Sequence, residues 1–114
     1  MSYPLALALT LAVELPIAGG WMRWRRGARA VPSSWLVAAT ANLVSHVTAI
    51  GIVWPLLDDR VARVPVVVVL ELVVWAFEAG VYARAAELSW RTAAAISAVA
   101  NLASLAAGWW VSSR

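Results

Sequence analysis

The stretch that decides the fold class of this chain is Val64-Pro-Val-Val-Val-Val-Leu-Glu-Leu-Val-Val-Trp-Ala-Phe-Glu-Ala-Gly-Val-Tyr-Ala83. It contains only two carboxylate side chains, Glu71 and Glu78, in an otherwise apolar run. About 20 apolar residues, at a rise of 1.5 Å each, cross a hydrocarbon core of about 30 Å. This stretch therefore predicts a transmembrane helix.

Three other stretches have the same length and apolar character. The four predicted spans run from Tyr3 to Met22, Trp35 to Leu57, Val64 to Ala83 and Thr92 to Val111. The chain is 63% hydrophobic and 13% charged, whereas a soluble domain is about 25% charged. Because the connections are short, sequential helices are expected to pack as antiparallel neighbours. The sequence predicts one transmembrane domain over residues 1–114, an all-α polytopic membrane protein folded as a four-helix bundle.

The basic residues predict the orientation in the membrane. All nine are arginines near the ends of the apolar stretches, which is typical of membrane orientation and argues against a nucleic-acid partner. Loops one and three carry more arginines than the opposite side, so we expect these loops in the cytoplasm and both termini outside. The lack of lysine beside abundant alanine and valine is typical of GC-rich codon usage, which indicates a bacterial source. We therefore predict a multi-pass protein of the bacterial inner membrane.

A short string of residues occurs twice. Ala41-Asn42-Leu43-Val44-Ser45 and Ala100-Asn101-Leu102-Ala103-Ser104 both read Ala-Asn-Leu-x-Ser, and each follows a span with Glu-Leu, at Glu14-Leu15 and Glu71-Leu72. This predicts a parallel two-fold repeat of helical hairpins about an axis along the membrane normal. Chance similarity between alanine-rich helices is the alternative. In either case the serines of both strings are expected to serve helix packing.

Three glutamates lie inside the predicted spans, where an ionised carboxylate costs about 2.5 to 3.5 kcal/mol. We expect them to face the protein interior and to be paired, hydrated or protonated. The chain has no lysine and its arginines lie near span ends, so a histidine and two asparagines are the available partners at matching depth. The predicted polar core and ion pathway consists of Glu14, Asn42, His46, Glu71, Glu78 and Asn101.

The first glutamate is followed closely by a proline. Pro16 lies inside the first predicted span, so its missing amide proton removes a helical hydrogen bond and frees a carbonyl around Ala12. We expect a kink beside Glu14 and a free carbonyl that can join a polar site.

Metal binding and catalysis are less well supported by the residue pattern. His46 alone is more typical of a hydrogen-bonded interior residue than of a metal ligand, although with two or three glutamates it could form a site for a hard or borderline divalent ion. Whether a metal or another cofactor binds stays open. No phosphate-binding glycine loop, Ser-His-Asp set or His-Glu-x-x-His string occurs, so no catalytic residue is assigned and an enzyme is disfavoured.

The order of these motifs also carries two family resemblances. The chain resembles a group of small prokaryotic four-span proteins to which no activity is assigned; this likeness covers nearly the whole chain. The chain is also similar to small multidrug resistance transporters in its size, its number of spans and the string Ala12-Val13-Glu14. In that family a glutamate of the first helix exchanges protons for cationic drugs. Glu71 and Glu78 depart from that second family. The motifs of the first group are Glu14-Leu15-Pro16, Asn42 to His46, Glu71, Glu78 to Tyr82 and Ser97 to Gly108.

The predicted function is passage of a proton or small cation through the polar core. Four short helices enclose little volume, so we expect a homo-oligomer or a complex with other membrane subunits. The leading alternative is a non-catalytic accessory or assembly subunit of a larger membrane complex, whose buried polar residues specify helix pairing; an intramembrane metalloenzyme comes third. A hydrated cavity touching the glutamates would favour passage, whereas polar stripes turned outward onto the helices of another chain would favour a subunit.

Overall fold

The structure, a computed structural model, describes residues 3–53 and 63–114. Every regular element in these two ranges is a helix, so the predicted all-α class is confirmed. The helices are α1 (Tyr3–Glu14), a first π-helix (Leu15–Gly19), α2 (Gly20–Arg26), α3 (Ser34–His46), a second π-helix (Val47–Val53), α4 (Arg63–Ala85) and α5 (Trp90–Ser112).

Three helices are long and apolar enough to cross a membrane, and they correspond to predicted spans one, three and four. They are Pro4–Arg26, which joins α1, the first π-helix and α2, Pro65–Ala85 in α4 and Trp90–Ser112. The second predicted span is helical as far as Val53, while residues 54–57 and most of the second predicted loop lie outside the described residues. The structure thus supports a multi-pass membrane protein, and the second predicted span, and with it the number of four spans, stays a prediction.

The helices pack as a ring in which each contacts two neighbours. α1 and the first π-helix contact α3, α3 contacts α4, α4 contacts α5, and α5 returns to α1. Sequential helices are therefore neighbours, as their short connections require. Alanines such as Ala18, Ala38 and Ala93 are buried between them, and small residues of this kind let helix backbones approach closely.

The first and third loops lie at the same end of the ring. Arg25 Nη2 donates to Thr92 Oγ1 at 3.1 Å, which places the end of α2 beside the start of α5. Arg26 Nη1 donates to the carbonyl of Pro32 at 2.8 Å within the first loop. We call this the arginine end; it carries Arg23, Arg25, Arg26, Arg29, Arg84 and Arg91.

Gly19 lies where the first π-helix meets α3. A Cβ atom added there would lie 2.8 Å from Cζ3 of Trp35, whereas one added at Gly20 would lie 3.8 Å from Cη2 of the same ring, an ordinary contact. We expect Gly19→Ala to lower the melting temperature of the detergent-solubilised protein. Gly20→Ala should leave it unchanged or raise it, because alanine gains up to about 1 kcal/mol over glycine inside a helix.

The control for this prediction removes the ring that Gly19 meets. We compare the drop in melting temperature that Gly19→Ala causes in two backgrounds. The drop should be smaller in the Trp35→Ala variant than in the unmodified protein, because the ring that the new methyl group meets is absent. Equal melting temperatures for Gly19→Ala and Gly20→Ala would contradict a close approach of the first π-helix to Trp35.

Candidate functional site

Three helices each bring one ionisable side chain to the centre of the ring. His46 Nε2, at the end of α3, lies 3.3 Å from Glu14 Oε2 at the end of α1 and 4.0 Å from Glu78 Oε2 in α4. One side-chain nitrogen or oxygen atom from each residue lies within 4.8 Å of the other two. Both carboxylates are fully buried and His46 is 9% exposed. We call Glu14, His46 and Glu78 the acid-histidine cluster.

Hydroxyl and amide groups from α3 and α5 hold the two carboxylates. Ser104 Oγ donates to Glu14 Oε1 at 2.6 Å. Ser45 Oγ donates to Glu78 Oε2 at 3.1 Å, and Asn101 Nδ2 donates to Glu78 Oε1. These donors are neutral, so within the described ranges His46 is the only basic side chain paired with either carboxylate.

The cluster holds more acidic than basic groups. A single ring nitrogen faces both carboxylates, and its one N–H can donate fully to only one of them. With both carboxylates ionised and His46 protonated, a negative charge remains inside an apolar bundle. Buried charge of this kind is costly without a counter-charge. The arrangement therefore favours the binding of a proton or another cation.

Glu14 and His46 both lie at a change of helix geometry. Glu14 is the last residue of α1 and His46 the last of α3, and a π-helix follows each directly. Single π-helical turns are frequent at functional sites. Pro16 accounts for the first one, since it lacks the amide proton that an α-helix needs there. The second, Val47–Val53, contains no proline.

The two asparagines of the repeated string are buried close to the cluster. Asn101 donates to Glu78 as described, and Asn42 Nδ2 donates to the Tyr82 hydroxyl at 3.1 Å. Each amide nitrogen also donates to the backbone carbonyl four residues earlier, at 2.8 Å. Both side chains are fully buried, and in the described part of the chain neither Oδ1 atom has a hydrogen-bond partner. Such unpaired oxygens are costly, so each is an open acceptor.

The structure brings together most of the residues predicted for the polar core. Glu14, His46, Glu78 and Asn101 meet, and Asn42 lies beside Tyr82 one helical turn from Glu78. Glu71 lies outside the acid-histidine cluster, two turns along α4 from Glu78 and away from the arginine end, and it is partly exposed.

The two serines of the repeated string have a role that sequence reasoning missed. Helix packing was the expected role, but Ser45 contacts Glu78 and Ser104 contacts Glu14. Each serine thus reaches a glutamate of the other hairpin. The signal that could have found them is their fixed spacing, three residues after an inward-facing asparagine, which places both on one helix face.

A largely apolar groove of about 240 Å³ lies beside the cluster, open on the outer surface of the bundle between α4 and the α3 helix with its π-helical continuation. Ser45 belongs both to its lining and to the hydrogen bonds of Glu78. Ser45 therefore lies between the groove and the Glu78 carboxylate. Its lining residues are Val44, Ser45, Thr48, Ala49, Leu70, Val73, Val74 and Phe77.

Comparisons with protein-family models, with curated proteins and with solved structures found no match to this chain. The two family resemblances therefore rest on motifs alone and stay predictions. The basis for a functional proposal is the acid-histidine cluster and its surroundings.

Proposed function

We propose that this chain is a four-span protein of a bacterial inner membrane that passes a proton or another small cation through the acid-histidine cluster. The observation that carries the proposal is that two fully buried carboxylates, Glu14 and Glu78, face one nitrogen of His46. Their excess negative charge is stabilised by a bound cation. Ionisable residues at membrane depth most often mark ion pathways or proton relays.

Polar groups extend from the cluster toward the arginine end. Tyr82 lies one helical turn beyond Glu78 on α4, and its hydroxyl accepts from Asn42 Nδ2. Toward the arginine end, fully buried Met22 and Ile96 belong to an apolar core that closes the bundle. Passage requires this end to open, and we propose that a homo-oligomer or a complex with other membrane subunits provides the complete pathway.

One observation supports passage over the accessory-subunit alternative. Asn42 and Asn101 both point into the bundle, and neither side chain is exposed on the outer surface where another chain would dock. The exchange of serine contacts between the two hairpins supports a repeat at the two Ala-Asn-Leu-x-Ser strings, whereas Glu71 of the second Glu-Leu pair takes no part in this exchange.

The proposed orientation can be measured with single cysteines, since the chain has none of its own. Ser33 and Ser113 are exposed at opposite ends of the bundle. We expect Ser113→Cys to react with a membrane-impermeant maleimide in intact cells, and Ser33→Cys to react only after permeabilisation, because arginine-rich loops stay in the cytoplasm. The reverse labelling pattern would show that both termini are inside.

Flux measurements on the purified chain test the function itself. Liposomes containing the unmodified protein and a pH-sensitive or cation-sensitive dye should show flux under an imposed gradient, above that of empty liposomes of the same lipids. If no flux of protons or of mono- or divalent cations occurs, the passage proposal fails. The accessory subunit then becomes the better explanation, and proteins that co-purify with the chain identify its complex.

A further inference from the structure

We infer that the acid-histidine cluster binds a divalent transition-metal ion, with Glu14, His46 and Glu78 as its protein ligands. This inference rests on the proposed function, since it takes the cluster as a cation site, and it adds the class of cation. One imidazole nitrogen and two carboxylates, without a thiolate, suit borderline ions of the series from Mn²⁺ to Zn²⁺.

The distances in the cluster are close to those that such an ion requires. Bonds of about 2.1 Å to nitrogen and oxygen place two ligand atoms of a tetrahedral site about 3.4 Å apart. His46 Nε2 lies 3.3 Å from Glu14 Oε2 and 4.0 Å from Glu78 Oε2, and one ligand atom of each residue lies within 4.8 Å of the others. Because 4.8 Å is the upper bound of these separations, a glutamate side chain that moves by at most about 1.4 Å closes the longest of them to 3.4 Å.

A second observation comes from Asn101, which belongs to another helix. Its side chain is fully buried and its amide points into the cluster, where Nδ2 donates to Glu78 Oε1. Its Oδ1 atom is without a partner in the described ranges. A neutral amide oxygen is a suitable partner for a metal ion or for a water molecule bound to it. The open acceptor of Asn101 makes it a candidate additional ligand for an ion bound at the cluster.

The outer hydrogen bonds also match those of a metal site. Ser104 and Ser45 each orient one carboxylate through a hydroxyl, and such groups fix the direction of the ligand atoms toward the ion. Three protein ligands leave at least one coordination position open, unlike the closed four-ligand set of a structural zinc site. The bound ion is therefore able to exchange.

Cobalt binding to the purified chain tests this site directly. Titration of the metal-free protein in detergent with Co²⁺, followed by visible absorption, should reach saturation at one ion per chain, and Zn²⁺ should displace it. Glu14→Gln, His46→Gln and Glu78→Gln should each weaken binding by more than 100-fold. Ser104→Ala removes only an outer contact and should weaken it about 10-fold to 100-fold.

Glu71→Gln is the matched control, because it removes a carboxylate of the same helix outside the cluster. It should bind Co²⁺ like the unmodified protein, and size-exclusion chromatography checks that each variant is folded. The inference is overturned if the unmodified protein binds no Co²⁺, or if Glu71→Gln loses binding as strongly as Glu78→Gln.

Flux assays separate this inference from the proposed function. Proton or sodium flux without Co²⁺ binding overturns the metal site and leaves passage intact. Stoichiometric Co²⁺ binding without flux of any cation supports a resident metal and overturns passage. Flux of Mn²⁺ or Zn²⁺ that is lost in Glu14→Gln and kept in Glu71→Gln supports both.

Discussion

Glu14→Gln is expected to reduce cation flux to the level of empty liposomes while the protein stays folded and keeps its oligomer size. Glutamine retains the shape of the side chain and can still accept the hydrogen bond from Ser104. It removes the negative charge that lies 3.3 Å from His46 Nε2. Since that charge is what attracts a cation to the cluster, its loss should act on passage much more than on packing. Reconstitution of both proteins at equal density gives the comparison.

The control for Glu14→Gln is the same substitution at Glu71. Glu71 is partly exposed and lies outside the acid-histidine cluster, so Glu71→Gln should keep most of the flux. Undiminished flux in Glu14→Gln would rule out a cation-binding role for Glu14. A chain that tolerates Glu14→Gln but loses its oligomer with Glu14→Leu would instead match the accessory subunit, in which the buried carboxylate serves only to specify helix pairing.

The position of each ionisable residue along its predicted span indicates which residues could meet at the cluster. A carboxylate that faces lipid is energetically costly, and the chain has no lysine to pair with it. Glu14 and Glu78 were therefore expected to pair with His46 or with water. The structure confirms this for Glu14 and Glu78, which are fully buried against His46. Length and apolar character likewise predicted the three membrane-capable helices.

The choice between Glu71 and Glu78 could not be made from the sequence. The two lie seven residues apart on one face of α4, so either could reach the centre, depending on how far α4 slides along its neighbours. That position is fixed by tertiary contacts such as Ser97 Oγ, which donates to the carbonyl of Trp75 at 2.9 Å. The π-helix after His46 was also missed, because Val47–Val53 contains no proline to indicate it.

Asn101→Leu is expected to lower the free energy of unfolding of the bundle by at least about 1 to 3 kcal/mol. Leucine has a similar volume but cannot donate to Glu78 Oε1, so a fully buried carboxylate loses one of its donors. The penalty is larger when the abandoned acceptor is charged. Unfolding in mixed micelles with increasing sodium dodecyl sulfate, followed by tryptophan fluorescence, measures the change in the free energy of unfolding.

Asn42→Leu is the matched control, because it alters the same position of the repeated string. Asn42 donates to the neutral hydroxyl of Tyr82 instead of a carboxylate, so its loss should cost less than that of Asn101. Removing both partners, as in Asn101→Leu with Glu78→Leu, should cost less than the sum of the single changes, since no unpaired carboxylate remains. If Asn101→Leu and Asn42→Leu cost the same and the double variant is additive, Glu78 carries no buried charge. The acid-histidine cluster would then have no excess negative charge to attract a cation.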